Sequence, residues 1–177
     1  IAGTIATTRG PGTITFLTAT DAAPSVLTQA MIISAAQLVT VAAGLTVTTG
    51  NVAVSAGGVS SASATAGIGY ATGAGGTVGQ ITSKATGVTL STVTGIVTMH
   101  NASLAGDTTV AFVLTNTAIA ATDAVIVLHE SVGTIGAYSF GSTAASGSAT
   151  ISVHNNTAGA LSEAIVLRFV VIKSVNA

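Results

Sequence analysis

The 177-residue chain carries four basic and five acidic residues, three histidines and no cysteine or tryptophan, for a net charge of −1. Charged residues are 5% of it, against about 25% in an ordinary soluble domain; this argues against a nucleic-acid footprint, a polybasic membrane anchor, a disulfide framework and a thiolate metal site. The 49% hydrophobic share is mostly alanine and valine, so a single chain has little to guard its strand edges, and burial of surface between copies in an oligomer is expected.

From the N-terminus, "GTITFLTAT" (12–20) has a strand composition, and "DAAP" (21–24) reads as a turn in which Pro24 fixes φ. Residues 25–44 fit one helix by their Ala, Gln and Leu content, or two or three short strands. The apolar window from Met31 to Val47 is broken by Gln37, Thr40 and Gly44 and is rich in β-branched residues, so it reads as strand rather than as a membrane span. No basic segment precedes an apolar stretch, as a secretory signal would require. "LTVT" (45–48) and "VAVS" (52–55) are separated by a Gly-containing turn and closed by Gly57-Gly58. Strands this short cannot form a core alone; they become stable when neighbouring chains wrap together. Residues 1–66 therefore read as a β-rich stem or attachment region.

"GIGYATGAGGTVGQ" (67–80) holds six glycines in fourteen residues. A dinucleotide fingerprint needs G-x-G-x-x-G between a strand and a helix, but Thr72 and Val78 occupy the positions of the third glycine. No Gly-Lys-Ser/Thr ending follows, since Lys84 lies outside the run, and the next residues favour strand. Residues 67–76 are read as a joint, with Gly67, Gly69, Gly73, Gly75 and Gly76 as hinge positions.

Residues 77–177 read as an all-β domain with candidate strands at 77–83, 87–91, 94–100, 108–115, 124–130, 135–141, 148–154 and 164–173. Eight strands in about a hundred residues predict an antiparallel sandwich of jelly-roll type. The last and most apolar strand is placed centrally, with Arg168 and Lys173 at exposed or interface points. Three loops, opening at Asn101, Asn116 and Asn155, share a plan of strand, Asn, small residues and acid. Asn ends a strand well because its side chain bonds the backbone and tolerates left-handed φ.

His100, His129 and His154 fall at predicted strand ends and are the only candidate metal-ligand set, joined by Glu130. None forms an HxH or HExxH pair, so no metal or other cofactor is expected. Asp21, Asp107, Asp123, Glu130 and Glu163 sit in predicted turns or strand ends, where acids have bland roles, and "GSTAASGSA" (141–149) lacks a nucleophile elbow. The expectation is that the chain is not an enzyme. Tyr70, Tyr138 and Phe140 could stack on sugars or fill a core.

The segments "GIGYATGAGGTVGQITSKATGVTL", "GIVTMHNASLAGDTTVAFVLTNTAIAATDAVIVLHES", "GAYSF" and "LSEAIVLRFVVIK" resemble, in order and spacing from about Gly67 to Lys173, a C-terminal domain of bacteriophage and prophage structural proteins of the fibre type. "GLTVTTGNVAVSAGG" also resembles the short β repeats that precede such tips. The resemblance implies a virion location, a homotrimer, an all-β tip and no transferable catalytic residue. The partners expected are further copies of the chain, other virion proteins through the N-terminal region, and a host surface glycan or protein. Tail fibre, head fibre and capsid decoration protein all fit this resemblance. A pilus-like surface filament subunit is a more distant alternative.

Overall fold

The computed structural model describes residues 45–50, 52–54 and 56–175. The strand expected at 12–20, the turn at 21–24 and the alternatives for 25–44 lie outside them. By its contacts the chain divides into two units, Ile1–Val59 and Ser60–Ala177.

The described residues of the first unit are all exposed, Leu45, Val47, Val52 and Val54 included, and none belongs to a strand. Among the described residues, the short strands expected at "LTVT" and "VAVS" are thus not formed. Two four-residue segments have too little apolar surface to hold a ladder without a further layer.

The second unit is all-β, with no helix among its described residues. Its strands are β1 (Thr77–Gly79), β2 (Val88–Thr89), β3 (Thr94–Thr98), β4 (Thr108–Thr115), β5 (Ala124–Ser131), β6 (Tyr138–Ala145), β7 (Ser148–Asn155) and β8 (Val166–Ile172). They form two four-stranded sheets, β1-β3-β8-β5 and β2-β4-β7-β6. The most apolar strand, β8, lies inside its sheet between β3 and β5, because alternate residues must face the core: Leu167, Phe169 and Val171 are at most 1% exposed. Facing them from the other sheet are Phe112, Leu114, Ile151 and Val153. The Phe169 ring lies over Gly95, its cross-strand partner, where an added Cβ would fall 2.7 Å from the ring.

Both sheets are mixed, which corrects the expectation of a wholly antiparallel sandwich. β1 pairs parallel with β3, and β2 pairs parallel with β4. The cause is the route of the chain. It leaves β1 at one end of the sandwich, crosses to the other sheet as β2, and returns at the opposite end as β3. Two crossings restore the original direction, so β3 runs alongside β1. The remaining pairings, β3–β8, β5–β8, β4–β7 and β6–β7, are antiparallel.

The same route gathers loops 80–87, 99–107, 132–137 and 156–165 at one end, called here the first pole. Loops 90–93, 116–123 and the tight β6–β7 turn lie at the other. At the first pole, Asn155 (0% exposed) ends β7. Its Nδ2 donates to the carbonyls of Leu104, Ala105 and Gly159, and its Oδ1 accepts from Thr157 N at 3.0 Å. At the opposite pole Asn116 (0% exposed) does the same work, donating to Thr92 O and accepting from Ala118 N. The strand-ending role read for these asparagines is therefore seen at both. At Asn101 the neighbouring His100 takes it, its Nδ1 accepting from Ala102 N at 3.0 Å.

Candidate functional site

The first pole collects Lys84, His100, Asp107, His129, Glu130, His154 and Glu163, most of the ionisable side chains of the second unit. Sheet direction explains this: β1, β3, β5 and β7 all end there.

At its centre is a buried lysine. Gln80 (8% exposed) folds the loop after β1 around itself, donating to the carbonyls of Lys84 and Thr86 and accepting from His100 N at 3.1 Å. That fold directs Lys84 (3% exposed) inward, where Nζ donates to His100 O at 2.7 Å and Glu163 O at 2.5 Å. Burial lowers the Lys84 pKa, and the negative charge of Glu163 opposes the shift. One ammonium thus ties three chain segments that lie far apart in sequence.

Glu163 carries the network on. Its Oε2 accepts from Thr134 N at 3.1 Å and from the Tyr138 hydroxyl at 2.8 Å, and its Oε1 accepts from Thr134 Oγ1 at 2.8 Å. The Thr134 backbone bond, then the Tyr138 and Thr134 side-chain bonds, hold its carboxyl below the usual range. Tyr138 is pushed well above its ordinary value, first by burial and then by its bond to Glu163. Its ring meets that of His129 edge-on, with centroids 6.3 Å apart, and Phe140 packs against the same imidazole at 6.0 Å. Tyr138 and Phe140 are thereby placed in packing between the sheets.

The β5–β6 connection is unusual. β5 is bulged between His129 and Ser131. Val132 holds φ at 57°, a strained left-handed conformation for a β-branched residue. His129 Nε2 donates to the Val132 carbonyl at 2.7 Å and braces that turn. Next to it, an added Cβ on Gly133 would lie 2.5 Å from Ile165. The result is a cleft of about 220 Å³ lined by His129, Glu130, Ser131, Val132, Gly133 and Ile135. Ile135 stands 91% exposed at its rim.

The three histidines share this pole but not a site. His129 serves Val132, His100 accepts from Ala102, and His154 Nδ1 is 2.9 Å from Thr109 Oγ1 with Nε2 3.4 Å from Asp107. Among the described residues no three His, Asp or Glu side chains converge as metal ligands. Glu130 is held by Arg168 at 2.7 and 2.5 Å, which keeps its carboxyl below the usual range. Asp123 lies at the opposite pole, bonded to Ala120 N and Lys173.

The glycine joint is only partly open. Added Cβ atoms on Gly67 and Gly69 would meet nothing within 4 Å, and Gly73 has φ of 96°. Gly75 and Gly76 are tightly packed, since a Cβ would lie 3.3 Å from Thr94 and 2.9 Å from Leu90. The Gly76 carbonyl accepts from Ile96 N at 2.9 Å, and the Tyr70 hydroxyl donates to Val171 O.

Sequence reading missed the Lys84–Glu163–Tyr138 network. The one available signal was a lysine among small neutral residues in a chain nearly free of charge. No family model, curated protein or solved structure matches the chain.

Proposed function

We propose that this chain is a structural subunit of a bacteriophage particle, a homotrimeric fibre-like appendage whose sandwich is the tip. In this reading the N-terminal region joins the copies and contacts other virion proteins. The first pole meets a host surface glycan or protein, and the chain performs no catalysis. The wrap is read as jelly-roll-like: β3-β8-β5 in one sheet faces β4-β7-β6 in the other, with every connection but the β6–β7 turn crossing between sheets.

The observation that carries the reading is the exposed apolar set Leu45, Val47, Val52 and Val54, which finds no strand partner among the described residues. Apolar alternation of this kind is stabilised by strands of other copies, which also hide the edges a low-charge chain leaves unguarded. The first pole supports the adhesive part, because it offers polar groups, a cleft and an exposed Ile135 on a rigid scaffold.

Native mass spectrometry of the full chain should give a trimer; a monomer at micromolar concentration would remove the stem. Antibodies raised against the protein should decorate phage particles in electron microscopy. Label at fibre ends supports this reading, and label spread over the capsid lattice replaces it with a decoration protein.

A further inference from the structure

We propose that the outer face of the β1-β3-β8-β5 sheet docks on the same face of a second copy of this chain. The inference rests on the oligomeric reading above and adds the surface used.

The two outer faces of the sandwich differ in kind. On the β2-β4-β7-β6 sheet the outward positions are small or polar, among them Thr109, Ala111, Thr150, Gly141 and Thr143, with Val113 as the large apolar exception. On the other sheet Ile126, Leu128 and Ile172 are 42%, 54% and 50% exposed around Val170. Aliphatic side chains on the solvent side of a sheet mark a covered face.

The chemistry of the face selects its occupant. Its two charges, Arg168 and Glu130, bond each other twice, at 2.7 and 2.5 Å. Such a pair can be covered without leaving an unpaired charge, and it offers nothing to a charged partner. The fitting partner is neutral and aliphatic, and a copy of this same face is both.

Shape agrees. Ile126 and Leu128 form a ridge along β5. Across β8 lies a groove of about 580 Å³, bounded by Ile68 and Tyr70 and lined by Thr94, Val170, Ile172 and Arg168, whose charge is paired with Glu130. A three-fold axis running parallel to β8 sets the ridge of each copy into the groove of the next, a contact that closes after three copies. Three strands about 4.8 Å apart and roughly seven residues long give a face near 14 by 24 Å. That is well below the ~800 Å² per partner of a standard interface. The contact therefore acts between copies already joined elsewhere, at the high effective concentration such joining creates.

The test uses the absence of cysteine from the chain. Full-length Leu128→Cys and Val113→Cys, at sites of similar exposure on opposite sheets, are reacted with a maleimide while light scattering records the assembly state. In the assembled protein the Leu128→Cys thiol should react about tenfold more slowly than the Val113→Cys thiol. Equal rates in a protein that is still oligomeric would overturn the face proposal alone. Equal rates in a monomer would overturn it together with the oligomeric reading.

Discussion

Lys84 Nζ donates to the main-chain carbonyl of Glu163 at 2.5 Å, binding the loop after β1 to the residue that leads toward β8. The same ammonium holds the carbonyl of His100 at 2.7 Å. Truncating it leaves two carbonyls without their donor in a buried site. Lys84→Ala should destabilise the protein by about 2–4 kcal/mol, read as a lower urea midpoint at constant slope. A midpoint within error of wild type would show that water replaces the ammonium.

Glu163 should make the fold acid-sensitive. Its folded pKa lies below the ordinary 4.5, so as pH falls past that value the unfolded chain takes up a proton before the folded one does. The unfolded state then binds more protons, and stability falls with pH. Glu130 and Asp123 act with the same sign. Glu163→Gln should lower the melting temperature at neutral pH and flatten its decline below pH 4.5. An unchanged slope would show that Glu163 does not carry the effect.

Tyr138 should act at the alkaline end. Its folded pKa is raised above the ordinary 10, so above that pH the unfolded phenol loses its proton while the folded one keeps it. The folded state then binds more protons, and stability falls as pH rises. In ultraviolet titration, the difference between wild type and Tyr138→Phe should contain a tyrosinate signal that appears only with unfolding. A signal from the intact fold at pH 10 would contradict this burial.

Val132 is predicted to be a site where glycine helps. Its φ of 57° costs a β-branched residue energy that glycine does not spend, partly offset by the greater freedom of glycine in the unfolded chain. Val132→Gly should raise stability by about 0.5–1 kcal/mol, seen as a higher melting temperature. A decrease would mean that the exposed valine side chain contributes packing outweighing the strain.

The histidines can be checked through metal removal. Each has its own local partner, so excess chelator should leave the melting temperature unchanged. A fall of several degrees would show a metal bound between them.

Much of the sandwich was legible in the residues. Alternation in "ATISVHN" marks β7, because a side-chain period of two assigns each residue to the core or to solvent, and the apolar run "IVLRFVV" marks β8 as a strand inside its sheet. Asn116 and Asn155 could be read as strand ends, since their function is completed by the two residues that follow each of them. The candidate site was not legible in this way. Lys84 is buried only because His100 and Glu163 arrive from elsewhere in the chain, and no local pattern carries that information. The mixed pairing was hidden for the same reason. The sequence by itself determined where strands form and which of their faces are apolar, since both follow from short-range alternation and turn chemistry. Strand direction, the gathering of ionisable groups at one pole and the burial of Lys84 were decided by the tertiary structure, because they arise when loops close the path of the chain between two sheets.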